Sequence, residues 1–303
     1  MYNIELGKSG LSVPTIAVGC MRMRNLDEKQ TAAMVDTALS MGANFFDHAD
    51  IYGGGRSEEI FSKVVPTSMR ENIIIQTKCG IRQGLYDFSY EHIIKSVEGS
   101  LKRLNTDYID VLLLHRPDTL MEPEEVARAF SQLNESGKVR HFGVSNHNPY
   151  QIELLQSALP MPLCANQLQF GIGHTPMIDS GINVNMYREG SPVRDGGVLD
   201  FCRLNKITIQ PWSPMQYGFF EGVFIDNEKF PELNETLSRI GEKYGVSKTT
   251  MAIAWILRHP AKMQPVTGTT SPERLADCLK AAEVKITREE WYEIYRAAGN
   301  KLP

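Results

Sequence analysis

The chain has 303 residues, 42% of them hydrophobic, with 32 Lys and Arg against 36 Asp and Glu and a formal net charge of −4. That balance, with no block of like charge, removes the electrostatic case for a nucleic-acid partner or an anionic membrane surface and leaves small molecules as the partners to expect. The length suits one large domain with a full core, so residues 1–303 are read as a single domain.

In chain order, the opening stretch 2–13 reads as a short hairpin whose Gly7 and Gly10 bracket a turn, expected to plug the bottom of whatever follows. Glu5 and Lys8 interrupt it, so it lacks the apolar centre of a signal peptide, and no run approaches the roughly 20 apolar residues of a membrane span. Eight short β-like runs come next, at 16–19, 44–47, 74–78, 112–115, 139–144, 163–166, 207–211 and 263–267. Helical periodicity fills 27–41, 57–65, 89–104, 122–136, 148–158, 193–205, 232–258 and 272–282, and Thr287 with Glu290 forms a capping box that opens one extra helix. Strict alternation of strand and helix requires parallel strands with crossover helices. Eight repeats suit an α/β fold closed as a (β/α)₈ barrel, a TIM barrel with an N-terminal β-hairpin and an added C-terminal helix, better than an open doubly wound sheet.

Two connections, 168–192 and 213–231, are too long for simple turns, and long loops on a barrel are usually functional. The second carries Met215, Tyr217, Phe219, Phe220, Val223 and Phe224, an apolar set expected to fold over something. The five cysteines, Cys20, Cys79, Cys164, Cys202 and Cys278, are odd in number and widely spaced, which fits neither a disulfide framework nor a zinc site and points to a reducing cytoplasm.

In a (β/α)₈ barrel the strands open by their C-terminal ends on one face, so Asp47, Tyr52, Lys78 and His115 are expected to converge there. Each alone has an ordinary explanation as a rim aromatic, a solvated charge or a hydrogen-bonded core histidine; together, on successive strands, they point to chemistry. A tyrosine hydroxyl, which ordinarily titrates near about 10, gives up its proton more readily beside a cation that favours the phenolate. Lys78 is placed to be that cation, and a buried ammonium needs a carboxylate, which Asp47 supplies. Such a tyrosine protonates a carbonyl oxygen that turns negative as hydride arrives, and a neutral His115 orients that oxygen. No side chain donates hydride, so a cofactor such as a reduced nicotinamide is required.

Ser145, Asn146 and Gln167 are neutral groups able to hold a carboxamide, and Trp212 offers a flat face to a nicotinamide ring. At the last strand, Gly268, Thr269 and Thr270 form a tight turn before an N-cap Ser271 and Pro272, so a helix N-terminus and Arg274 present themselves to a phosphate. Gly53-Gly54-Gly55 belongs to no phosphate-binding pattern and reads as a turn that lets Tyr52 enter the pocket. His141 and His147 have no metal-spaced companions, and no metal is assigned.

The residues 42–52 with Ser57, Glu58 and Glu59, the stretch 100–117 ending in His115-Arg116-Pro117, and the pairs Thr77-Lys78, Ser145-Asn146 and Asn166-Gln167 together resemble the aldo-keto reductase superfamily over nearly the whole chain. The resemblance implies an NADPH-binding barrel with Asp47, Tyr52, Lys78 and His115 as its catalytic tetrad, acting on a small-molecule carbonyl substrate. It also implies that Ser145, Asn146 and Gln167 hold the carboxamide, that Trp212 takes the ring-stacking position, and that Ser213, Pro214, Met215 and Gly218 line the pyrophosphate path. Gly19, Met21 and Arg22 would border the nicotinamide ribose. Some members carry Lys where Gly268 stands and Asn where Cys278 stands, both near the adenosine phosphate, so NADPH (or its oxidised form, NADP) is expected and NADH stays open. Two other readings are a nucleotide-sensing regulatory or binding subunit with little turnover, and a lyase using Lys78 as a Schiff-base nucleophile. The sequence sets neither the substrate nor the oligomeric state.

Overall fold

A computed structural model describes residues 1–184, 186 and 196–300. The chain opens with β1 (Asn3–Glu5) and β2 (Ser12–Pro14), paired antiparallel. Gly7 in their connection sits at φ 59°, its N–H donates to Thr208 Oγ1 at 2.8 Å, and an added Cβ would lie 2.3 Å from the Cys164 carbonyl oxygen. Leu6 and Val13 are fully buried among Ala17, Phe45, Val111 and Cys164, so the hairpin closes the barrel floor as expected from the sequence.

The barrel then runs through β3 (Ala17–Gly19), β4 (Phe45–Asp47) and β5 (Ile74–Cys79). A small flap, β6 (Ile81–Arg82) with β7 (Leu85–Tyr86), leaves the top of β5. Next come β8 (Ile109–Leu114), β9 (Val139–Ser145), β10 (Leu163–Gln169) and β11 (Thr208–Trp212). A second flap, β12 (Gln216–Tyr217) with β13 (Gly222–Val223), precedes β14 (Val266–Thr267), which pairs with β3 and closes a barrel of eight parallel strands. All eight strands fall on runs marked in the sequence.

The surrounding helices are α1 (Glu28–Ser40), α2 (Arg56–Val64), α3 (Tyr90–Leu104), α4 (Pro123–Glu135), α5 (Pro149–Ala158), α6 (Pro176–Ile182), α7 (Val198–Asn205), α8 (Pro231–Tyr244), α9 (Lys248–Leu257), α10 (Pro272–Lys280) and α11 (Arg288–Ala297). Six of them, α1, α3, α5, α9, α10 and α11, follow side-chain caps: Asp27, Ser89, Asn148, Ser247, Ser271 and Thr287 each accept a hydrogen bond from a first-turn N–H.

Three helical boundaries differ from the periodicity. The run 232–258 is two helices, because Gly245 at φ 65° ends α8 and Ser247 caps α9. Within 168–192 a short α6 forms behind Pro176, while residues 185 and 187–192 lie outside the described residues. The helix expected over 193–205 is seen as Val198–Asn205, and 193–195 likewise lie outside the described residues.

The barrel interior is layered. Against the hairpin lie Ala17, Phe45, Val111, Leu113 and Ala165. Gly143 keeps this level open, since a Cβ there would come within 2.7 Å of Leu113 Cδ2 and the Ala165 carbonyl oxygen. Higher up, Gln76, Gln210 and Gln264, all fully buried, pair their amides across the axis at 2.8–3.0 Å, and Gln264 Nε2 donates to the Pro14 carbonyl at 2.7 Å. This amide layer supports the mouth of the barrel from below.

Candidate active site

β4 stops at Asp47, which is registered opposite Gln76 of β5. Side chains alternate along a strand, so Gln76 and Lys78 share the inward face. Lys78 is completely buried and Asp47 nearly so. Lys78 Nζ donates to both Asp47 carboxylate oxygens at 2.8 Å, to the His48 carbonyl oxygen at 2.7 Å and to the Tyr52 hydroxyl oxygen at 3.1 Å. Asp47 Oδ1 also accepts from Gln76 Nε2 at 2.6 Å and Gln167 Nε2 at 3.2 Å. Tyr52 arrives on a turn after β4, and Gly53, Gly54 and Gly55, at φ 64°, 65° and 97°, carry the chain from it into α2.

Because the Tyr52 oxygen accepts from Lys78, its own proton is free to serve an acceptor in the cleft. Burial works to neutralise Lys78, yet the Asp47 carboxylate and Tyr52 outweigh it and raise the Lys78 pKa. An amine held charged in this way is a poor Schiff-base nucleophile. Tyr52 departs from the sequence reading. Lys78 does favour the phenolate, but burial opposes it more strongly and Asp47 adds to that opposition, so the hydroxyl pKa is raised above its ordinary value of 10.0. The His115 ring sits edge-on to Tyr52 with centroids 5.9 Å apart, and burial, with the charges of Lys78 and Arg116, holds it neutral. Its buried Nδ1 has no hydrogen-bond partner. An unpaired donor there would cost more than an unpaired acceptor, which favours the proton on Nε2.

Above β9–β11 the polar strand ends form one network. Ser145 Oγ donates to the Gln167 carbonyl at 2.9 Å, Asn146 Nδ2 donates to Ser145 Oγ at 2.8 Å, and Trp212 Nε1 donates to Asn146 Oδ1 at 3.1 Å. Asn146 and Ser213 adopt left-handed backbone conformations, φ 59° and 50°, which turn the chain sharply at the mouth. Phe220, at the tip of the β12–β13 flap, stacks on Trp212 with centroids 5.8 Å apart, and Phe224 beyond it is fully buried. The apolar loop thus folds over the barrel mouth.

At the other end, Ser271 caps α10 by accepting from Arg274 N at 3.2 Å, and Arg274 Nε donates to Thr269 Oγ1 at 3.2 Å. Arg22 reaches from the turn after β3 to donate to the Gly268 carbonyl at 2.9 Å. An added Cβ at Gly268 would meet nothing within 4 Å, and Cys278 is buried.

All of this borders one cleft of about 770 Å³. Of the residues singled out from the sequence, Gly19, Met21, Arg22, Asp47, Tyr52, His115, Ser145, Asn146, Gln167, Trp212, Ser213, Pro214, Met215, Gly268, Thr269, Thr270, Arg274 and Cys278 line it. Lys78 lies beneath, touching the cleft through Tyr52. Gly218 is outside the lining; it sits in the flap at φ 57°, and its carbonyl accepts from Gln169 Nε2 at 2.7 Å. Sequence reasoning missed Arg24, Ile51, Ile81, Arg116 and Thr249 on the lining and Gln76 below it. Gln76 left one usable signal, its place two residues before Lys78 on the same strand face.

The donor set fits a dinucleotide. It places amides and an aromatic plane at the Tyr52 end and a helix N-terminus with Arg274 at the other, while Arg22 reaches the Gly268 carbonyl; neither arginine has a carboxylate partner among the described residues. The family model described as the Aldo/keto reductase family matches residues 15–298. The chain is 34% identical to a protein of Escherichia coli (strain K12) named oxidoreductase YdhF, over 100% of both. It is 36% identical to a 6-dehydroglucose reductase of Agrobacterium fabrum, over 89% of this chain and 88% of the relative. Among solved structures, a thermostable aldo-keto reductase, Tm1743, in complex with the inhibitor epalrestat superposes with a TM-score of 0.79 at 27% identity, covering 98% of this chain and 100% of that one.

Proposed function

The chain belongs to the aldo/keto reductase family of oxidoreductases, and from that premise we propose that it reduces an aldehyde or ketone with NADPH, using Tyr52 as the general acid. The observation that carries this reading is the 3.1 Å contact from a saturated, fully buried Lys78 ammonium to the Tyr52 oxygen. Ser145, Asn146 and Gln167 would hold the carboxamide and Trp212 the ring. Arg22 would border the ribose, and Arg274, Ser271 and Thr269 would take the adenosine phosphate. Bound there, a reduced nicotinamide supplies the hydride that reduces the carbonyl carbon.

As charge builds on the carbonyl oxygen, Tyr52 delivers its hydroxyl proton to it, and Lys78 stabilises the phenolate left behind. Asp47 keeps Lys78 charged and in place. Neutral His115 donates a second hydrogen bond to the same oxygen and sets the carbonyl's orientation. Water then reprotonates Tyr52. No helix among the described residues is long and apolar enough to cross a membrane. The five free, buried cysteines suit the cytoplasmic location we propose.

Single-turnover NADPH oxidation against a panel of aldehydes, hydroxylated ones included in view of the 6-dehydroglucose reductases, tests the reading. Tyr52→Phe should lower the rate by at least about 100-fold while NADPH still binds, as followed by its fluorescence. Wild-type rates in that variant would remove Tyr52 from the proton-donor role. Tight NADPH binding with no carbonyl able to oxidise it would favour a nucleotide-sensing subunit instead. Arg274→Ala should weaken NADPH far more than NADH.

A further inference from the structure

Four arginines, Arg22, Arg24, Arg116 and Arg274, line the cleft of a chain whose net charge is −4. None of them joins an ion pair among the described residues. The acids on the same lining are already engaged, Asp47 by Lys78 and Asp226 by Lys248. The cleft therefore carries uncompensated positive charge, and its low-dielectric walls focus that field on whatever enters.

Arg22 and Arg274 have uses at the cofactor end. The other two flank the reacting end. Arg116 directly follows His115 at the top of β8, is half-buried, and holds its guanidinium carbon 5.7 Å from the centre of the Trp212 ring. Arg24 folds its side chain over Gly53, next to Tyr52, so closely that a Cβ at Gly53 would lie 2.8 Å from Arg24 Cβ and 2.9 Å from its Cδ. The exposed Arg24 thus packs its stem beside Tyr52, Arg116 follows His115, and Ile51 and Ile81 add apolar lining to the same cleft. A half-buried guanidinium without a counter-ion is costly, and its planar fork matches carboxylate and phosphate.

Resting on the carbonyl-reductase reading, we propose that the substrate is an aldehyde or ketone bearing an anionic group, a carboxylate or a phosphate, a few bonds from its carbonyl, and that Arg116, assisted by Arg24, binds that group. With the carbonyl oxygen fixed by Tyr52 and His115, the anion sets which end of the molecule faces the mouth.

Two charged and neutral pairs test this with NADPH: 4-oxobutanoate against its near-isostere 4-oxobutanamide, and glyceraldehyde 3-phosphate against glyceraldehyde, which lacks the phosphoryl group. In at least one pair the charged member should show a kcat/KM higher by about tenfold or more, the pair that does so identifying the anion. Arg116→Met should bring that ratio toward one, Arg116→Lys should restore part of it, and Arg24→Gln should reduce it less. Equal or better use of the neutral member in both pairs overturns the proposal, as does an Arg116→Met variant that slows both members equally.

Should no member of either pair oxidise NADPH while another carbonyl of the aldehyde panel does, the reductase reading stands; should the whole panel fail, that reading fails on its own account. The charge preference is then read by equilibrium titration of the NADP-loaded protein with succinate, inorganic phosphate and succinamide. At least one anion should bind at least about tenfold more tightly than succinamide and lose that advantage in Arg116→Met. Lack of discrimination between the anions and succinamide sinks the anion site independently.

Discussion

Lys78 is the residue on which the site turns. A wholly buried ammonium survives only with its donors satisfied, and here the two Asp47 oxygens, a carbonyl and the Tyr52 hydroxyl do so. Asp47 depends in turn on Gln76, whose amide both donates to the carboxylate and exchanges hydrogen bonds with Gln210. Replacing Gln76 with Met keeps the volume but removes a bond to a charged group and strands the Gln210 amide. The expected stability loss is about 2 kcal/mol, measured by urea denaturation, and carbonyl reduction should fall with it as Asp47 loses its orientation. Lys78 and Asp47 were legible because ionisable residues closed apolar runs. The glutamines were not, since a polar residue inside a strand reads as a solvent-facing one until the partner across the axis is known. Arg116 was hidden by its neighbour, for His115 accounted for that strand end by itself.

At the scale of elements, every barrel strand could be read from its apolar run, most helices from their periodicity, and the starts of α10 and α11 from the caps Ser271 and Thr287. What failed was where periodicity continued through a break. Gly245 and Ser247 interrupt a pattern that stays amphipathic on either side, and only the left-handed Gly245 shows the chain turning. Ser247→Ala should destabilise the protein by about 1 kcal/mol, read from the urea midpoint, because α9 loses its cap. The hairpin gives a sharper prediction. Gly7 combines a positive φ with a backbone contact that a side chain would overlap. Gly7→Ala should therefore cost on the order of 3 kcal/mol or more, with the floor of the barrel displaced from Thr208, whereas Gly10→Ala, which meets no atom within 4 Å, should lose only its conformational share.

For the molecule as a whole, all seven histidines titrate below their ordinary range. Burial carries His48 down to about 3 and His147 to about 4. A group with a depressed folded-state pKa contributes its stability above the unfolded value and loses it as pH falls. Between roughly pH 6.5 and 4, each of these two costs about 1.4 kcal/mol per pH unit. Asp50, pushed up to about 6 by burial and Glu58, works in the opposite sense as it takes a proton before the unfolded chain does. The histidines outnumber it, so the urea midpoint should drop steeply below pH 6; a flat profile from pH 7 to 4 would refute the assignment. Activity behaves differently. Tyr52 keeps its proton and His115 its neutrality, so neither should place an inflection in the reduction rate between pH 6.5 and 9. The ring of strands is also uneven. β8 and β9 run side by side along most of their length, while β11 meets β14 at one position, Trp212 opposite Val266, and β14 spans two residues. A cask is weakest at its narrowest stave, and this one lies beneath the path proposed for the dinucleotide. Loading should then splint the wall from outside: amide exchange at Val266 and Thr267 would slow far more on NADPH addition than exchange along β8, making the coenzyme part of the masonry as well as a reagent.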